Sequence, residues 1–319
     1  MLRGGILEEK GGHFMFDYQA AYKRNGTGSH MKTFWLTVLA IILMYAAGLL
    51  FLLVMLLPAS FIDSGIIILW IFAVGFLFLL AGIFLLYPFS VGVLHYYACT
   101  YLGREFGFRE AFKVFTNGRY SKVIKLGLLV LVAYVVVSFA FGLIMQFILT
   151  AVNMPLIMMA ETWAQGSAPS AGQVGVIIGV VLLNFLVATL SYIPYMLIAI
   201  YVILAYMVYI DQPFIPTTDK FRIAWDVMFH SGERIWKLIF SNFLLLLMPL
   251  AVHLVFIVPA ILLGIFVDGL AFPILMVAGI LIAVVAYAAA IYFMAGSITA
   301  YYFKGRDTLD QKHWQEVQG

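Results

Sequence analysis

Charge is scarce in this 319-residue chain: Asp, Glu, Lys and Arg supply 10% of it, while 65% of the residues are hydrophobic. A water-soluble domain carries about 25% charged and about 45–50% apolar residues. One soluble core cannot hide so much apolar surface. The same scarcity excludes disorder of the polar, charge-rich kind. Cysteine is nearly absent as well. Cys99 stands alone, so no internal disulfide can form. It sits near the end of an apolar run and reads as packing, because a reactive thiol needs an exposed, electropositive setting. No Lys/Arg-rich tract accompanies the net charge of +3, so no nucleic-acid partner is expected. Residues 1–30 carry Glu8, Glu9 and Asp17 and lack the apolar stretch of about 7–15 residues that marks a cleaved signal peptide.

Catalytic signatures are missing too. There is no phosphate-cradling Gly-rich loop ending in Lys-Ser/Thr and no HExxH. No Gly-x-Ser-x-Gly elbow occurs, and the Cys and His spacing fits no zinc site. No pair of aspartates lies inside an apolar run. The polar connections are too short to form a catalytic domain of their own. An enzyme is therefore not expected, and no cofactor is implied.

What the chain has is long apolar runs. Uncharged stretches extend from Thr33 to Ile62, Ser64 to Gly103, Leu126 to Ala160, Thr162 to Ile210, Leu238 to Val267 and Gly269 to Phe303. Each exceeds the roughly 20 residues a helix needs to cross a bilayer. The short alternating segments of a membrane barrel are absent. Helices remain, because backbone groups facing lipid must bond within their own segment. The predicted fold is an all-α, polytopic transmembrane bundle of about six spans arranged as three hairpins. Pro58, the segment 166–173, and Asp268 with Gly269 mark the turns. Pro88, Pro194, Pro249 and Pro259 offer bend points, since proline removes a backbone donor.

The basic residues set an orientation. All 18 Lys and Arg fall into four clusters: five before Thr33, six from Arg104 to Lys125, four from Lys220 to Lys237, and three from Lys304 to Lys312. The other three connections contain none. Basic residues near span ends concentrate on the cytoplasmic side, so both termini are expected there.

A pseudo-threefold repeat follows the same layout. Each unit opens with an aromatic-rich segment, a small residue with Gly, and basic residues. The openings are Ala21-Tyr22-Lys23-Arg24-Asn25-Gly26, Ala111 to Gly118, and Ala224 to Gly232. After a leader over residues 1–15, the units are residues 16–103, 104–211 and 212–306, with a tail at 307–319. Each outer turn carries one acid: Asp63, Glu161 and Asp268. Phe108, Ala111, Phe112 and Phe115 fall at i, i+3, i+4 and i+7, the spacing of one α-helical face. Phe221, Ala224, Trp225 and Met228 repeat it, with Asp219, Lys220, Arg222 and Asp226 expected mostly elsewhere. Short amphipathic helices of this kind lie in the membrane interface. They read either as structural collars or as elements that dock a cytoplasmic partner or gate a lipid-facing groove. Gly26, Gly118 and Gly232 then suit the left-handed position after a helix.

Ionisable residues inside spans are functional candidates. His253 and His95 qualify, and Asn242 and Asn184 join them as a candidate intramembrane polar site. Asn153 and Gln146 are further polar positions. For each the plainer reading is a satisfied interhelical hydrogen bond. Gly75, Gly82 and Gly92, with the alanines from Ala286 to Ala290 and Ala295-Gly296, suit close helix approach.

The segment Ala224-Trp225 through Lys237, and the proline followed by small and aromatic residues from Pro88 through Tyr97, carry a family resemblance. The chain resembles a broad group of uncharacterised bacterial six-span membrane proteins, some of them similar to the membrane domain of glycerophosphoryl diester phosphodiesterases. It lacks an attached phosphodiesterase domain. The resemblance implies a bacterial cytoplasmic membrane and an accessory or transport-like role, and it carries over no site residues. The leading expectation is a non-enzymatic accessory or lipid/amphiphile-handling protein. Its partners would be membrane lipids, with a cytoplasmic or membrane protein partner left open. A permease subunit or channel for a small solute is the alternative, and an intramembrane enzyme the third.

Overall fold

A computed structural model describes residues 15–56, 64–164, 170–252, 255–256 and 271–318. The described residues are helical and contain no strand. The elements are α1 (Asp17–Asn25), α2 (His30–Leu56), α3 (Ser64–Ala81), a π-helical turn (Gly82–Leu86), α4 (Tyr87–Tyr101), a 3-10 helix (Phe108–Phe115), α5 (Arg119–Ala164), α6 (Ala171–Asp211), α7 (Thr217–Phe229), α8 (Ile235–Val252) and α9 (Ala271–Gln318). Six helical stretches are long and apolar enough to cross a membrane: His30–Leu56, Ile66–Tyr101, Arg119–Ala160, Gly172–Asp211, Ile235–Val252 and Val277–Gln311. The chain is a multi-pass membrane protein by this criterion. Pro58, Asp63, His253, Pro259, Asp268 and Gly269, singled out in the sequence, lie outside the described residues, as does the Glu161 side chain.

The chain divides into two compact units. The first comprises Met1–Ile124 and Ile203–Gly319. Its centre is α9, where every residue from Ser297 to Phe303 is buried. A helix buried on all sides needs neighbours all round, and α8, α1, α4, α7 and α2 supply them. Gly296 lets Tyr22 of α1 come close: a Cβ there would lie 2.5 Å from the Tyr22 ring.

The bend expected at Pro88 takes the form of the π-helical turn just before it. Proline lacks the N–H that would bond the carbonyl four residues back, here that of Phe84. Tyr120 Oη donates to that carbonyl at 2.9 Å instead, and Tyr87 Oη donates to Val123 O at 3.2 Å. α4 ends in a Schellman motif: the Arg104 N–H bonds Cys99 O, the Gly103 N–H bonds Thr100 O, and Gly103 adopts φ 64°. α6 and α8 run unbroken through Pro194 and Pro249.

Three sequence expectations are corrected. First, the segment Phe108–Phe115 is 3-10 rather than α-helical. With about three residues per turn, its inner stripe is Phe108, Ala111 and Val114, while Phe112 faces outward. Tight packing accompanies this: a Cβ on Gly92 would lie 2.0 Å from the Ala111 carbonyl oxygen. Second, α7 turns Lys220, Ala224, Val227 and Met228 inward. Trp225 and Phe229 point outward with ring centroids 4.4 Å apart, and Phe221 is half-buried. Its two faces are both apolar, one for protein and one for the surroundings, so a single-face pattern misassigns Trp225. Third, Gly118 and Gly232 have positive φ, but Gly26 has φ −91°. Gly26 is needed for space instead, since a Cβ would strike Thr100 and His30 at about 2.5–2.6 Å. Gly75 and Gly82 face open space, so of the three second-span glycines only Gly92 marks a close approach.

The second unit, Lys125–Val202, takes in the central parts of α5 and α6. Phe141 meets Tyr195 edge-on, Ser191 Oγ donates to Met145 Sδ, and Asn153 bonds Asn184. Partners advance along α5 as they recede along α6, so the helices run antiparallel in this unit.

Candidate functional site

α1 is too polar to span a bilayer, and its first residues meet the basic ends of two spans. Lys237 immediately precedes the apolar run of α8, and Lys304 immediately follows that of α9. Here Asp17 pairs with Lys237 at 2.6 Å. Tyr18 Oη donates to Glu233 Oε2 at 2.9 Å and accepts the Arg234 N–H at 3.0 Å. Burial, reinforced by the Glu233 carboxylate, holds the Tyr18 phenol well above its ordinary pKa. The hydroxyl therefore stays protonated and acts as a fixed donor. Lys304 Nζ lies 5.7 Å above the Tyr18 ring. Together with Gly232, these side chains line a recess of about 250 Å³.

One residue further along α1, and one turn further along α8, the chemistry becomes neutral. Gln19 Nε2 donates to Ser241 Oγ at 2.9 Å and to Asn242 Oδ1 at 3.3 Å. Ser297 Oγ lies 2.9 Å from Asn242 Oδ1 and 2.8 Å from Met294 O. Ser241, Asn242 and Ser297 are fully buried and Gln19 is 8% exposed. Two amide atoms, Gln19 Oε1 and Asn242 Nδ2, have no partner. Rotating both amides by half a turn exchanges oxygen and nitrogen but still leaves one orphan on each.

Beyond the amides lies an aromatic cage. Tyr22 packs edge-on against Tyr292 and His30 and at a tilt against Tyr97. His30 Nδ1 lies 2.7 Å from Tyr292 Oη. Thr33 bonds Thr100, and Thr37 Oγ1 donates to Tyr97 Oη at 3.0 Å. Burial, with the Tyr292 and Tyr97 hydroxyls nearby, raises the Tyr22 phenol pKa.

A separate cluster surrounds His95. Its Nε2 lies 3.9 Å from Glu110 Oε2, which Lys113 Nζ reaches at 2.6 Å. His95, Lys113, Arg119 and Tyr209 border a cavity of about 10 Å³, the size of about one water. His95 Nδ1 and Arg119 Nε face no partner.

Asn242 and His95, both in the first unit, therefore belong to separate clusters. Asn242 belongs to the Gln19 network and His95 to the Glu110 cluster. Asn184 closes a reciprocal pair in the other unit: its Nδ2 donates to Asn153 Oδ1 at 2.9 Å, and Asn153 Nδ2 donates back at 3.2 Å. Each amide also bonds the carbonyl four residues earlier, so the pair is saturated and reads as helix packing. Sequence reasoning missed Gln19, Glu233 and Arg234, whose only signal is their place beside span ends. It also missed the fully buried Lys220, whose Nζ donates to Ile215 O at 2.5 Å and lies 5.9 Å above the Tyr209 ring. Among the described residues, no group of three or more His, Cys, Asp or Glu could hold a metal. Compared with protein-family models, curated proteins and solved structures, the chain matches none.

Proposed function

We propose that this chain is a multi-pass protein of the bacterial plasma membrane that holds a lipid or other amphiphile, or acts as a membrane-embedded accessory, without catalysing a reaction. One observation carries the reading. In His30–Leu56, Ile66–Tyr101, Arg119–Ala160 and Gly172–Asp211, at most 6% of the most apolar stretch is buried within the protein. Leu, Ile, Val and Phe side chains therefore project outward along those stretches, where only hydrocarbon is a matching solvent. Trp35, Phe112, Trp225, Phe229 and Trp236 are exposed beside basic segments, as aromatic residues at headgroup level are. A hydrophilic passage would need polar lining, whereas an apolar face suits an acyl chain.

The alternation of all 18 basic residues supports both termini on the cytoplasmic side, with three outward hairpins in three similar units. The resemblance to bacterial six-span membrane proteins fits that layout.

Two experiments test the reading. Native mass spectrometry of the detergent-purified chain should find retained phospholipid. A chain that keeps its thermal stability when rigorously delipidated would overturn the lipid role. For topology, Cys99→Ala supplies a cysteine-free background for Ser170→Cys and Thr116→Cys. In intact cells an impermeant maleimide should label only position 170, and labelling at 116 would sink the orientation.

A further inference from the structure

Resting on that lipid-holding reading, we infer that the recess bordered by Arg234, Lys237 and Lys304 binds the phosphate of an anionic phospholipid headgroup. Three cations and two carboxylates border the recess, for a net charge of +1. Asp17 is taken by Lys237 and Glu233 by the Tyr18 hydroxyl. Among the described residues, neither Arg234 nor Lys304 has an ion-pair partner. Glu233 keeps its charge when it accepts from a neutral phenol, so one net positive charge, carried by Arg234 and Lys304 together, borders a polar recess of about 250 Å³, ample for a phosphate group.

Two of the backbone donors beside the recess are engaged. The Glu233 N–H bonds Ser231 Oγ and the Arg234 N–H bonds Tyr18 Oη, so the anion is assigned to the cationic side chains. Arg234 offers a planar fork that matches two phosphate oxygens, and Lys304 a point charge on a flexible stem. Placement selects a lipid over a free anion. The recess lies where the α8 and α9 apolar runs end, and Trp236, Phe240 and Leu247 of α8 are exposed along the adjoining span. A phosphate in the recess would leave its acyl chains beside that apolar surface. Tyr18 fixes the floor of the recess, since its ring carries Lys304 and its hydroxyl positions Glu233.

The test titrates the purified full chain with phosphatidylglycerol and, separately, phosphatidylcholine, and reads bound lipid by native mass spectrometry. The wild type should prefer phosphatidylglycerol. Arg234→Gln with Lys304→Gln should lower that preference about 25-fold, since each cation near an anionic surface contributes about fivefold. Arg234→Lys with Lys304→Arg should keep most of it and controls for folding. An unchanged preference in the glutamine variant would overturn the assignment while leaving the lipid-holding reading intact. So would a wild type that retains both lipids equally. Inorganic phosphate displacing phosphatidylglycerol at equal concentration would also overturn it, by showing that the acyl chains add nothing. Retention of neither lipid would refute the lipid-holding reading itself.

Discussion

Replacing Asn242 with leucine should change stability by less than about 1 kcal/mol, although the residue is fully buried and hydrogen-bonded. The magnitude follows from its partners. The substitution removes two bonds to Oδ1, from Gln19 at 3.3 Å and from Ser297 at 2.9 Å. A bond of this kind contributes about 0.5–1.5 kcal/mol, and the longer one belongs at the low end. Neither donor is stranded, because Gln19 Nε2 keeps Ser241 Oγ and Ser297 Oγ keeps Met294 O. The substitution also removes the orphaned Nδ2, and a buried unsatisfied donor costs about 1–3 kcal/mol. Loss and relief nearly cancel. Ser241→Ala should be worse, by about 1–2 kcal/mol, since it leaves Gln19 Nε2 with only its 3.3 Å contact. The assay is apparent melting temperature in one detergent at one scan rate. A cost above about 3 kcal/mol for Asn242→Leu, beyond what the lost bonds can supply, would refute the reasoning. It would mean that Nδ2 and Gln19 Oε1 hold a polar guest in the working protein.

Gly92→Ala should destabilise by at least about 1–3 kcal/mol, because the new methyl meets backbone that cannot rotate away. Gly75→Ala, in open space on the same span, should be neutral or stabilising, and melting of the two variants side by side checks this. Tyr120→Phe should cost about 1 kcal/mol by leaving Phe84 O without its donor. In a Pro88→Ala background, where a main-chain N–H can serve that carbonyl, the same change should cost nearly nothing. Burial holds the Lys220 ammonium below the ordinary lysine pKa, with Lys122 adding to the effect and Asp219 opposing it. The folded chain therefore binds fewer protons than the unfolded one between that lowered pKa and about 10.4, and stability rises with pH across this window. Lys220→Met should flatten the rise in melting temperature; an undiminished slope would show that another group causes it.

Much of the fold is legible without coordinates, and much of the site is not. Run length and hydropathy locate the six spans, and glycine after a helix marks the left-handed turns at Gly118 and Gly232. The α-helical reading of Phe108–Phe115 fails because Phe112 and Phe115 fit an α stripe while Phe108, Ala111 and Val114 fit a 3-10 stripe equally well. Only the contact of Ala111 with Gly92 separates them. Asn242 and His95 stand out in sequence as polar residues in apolar runs. Gln19 and Arg234 do not, since polar residues at span ends are ordinary.

Composition and run length alone set the solvent, the helical state and the level at which charges stop. Those properties sum along the chain, residue by residue, as transfer free energy and local hydrogen bonding. Which side chains meet is a matter of packing: Gln19 with Ser241, Tyr18 with Glu233, and Tyr22 beneath Gly296. Such pairs are some two hundred residues apart or more in the chain, and their encounter depends on how helices rotate and press together. Local composition carries no record of that packing.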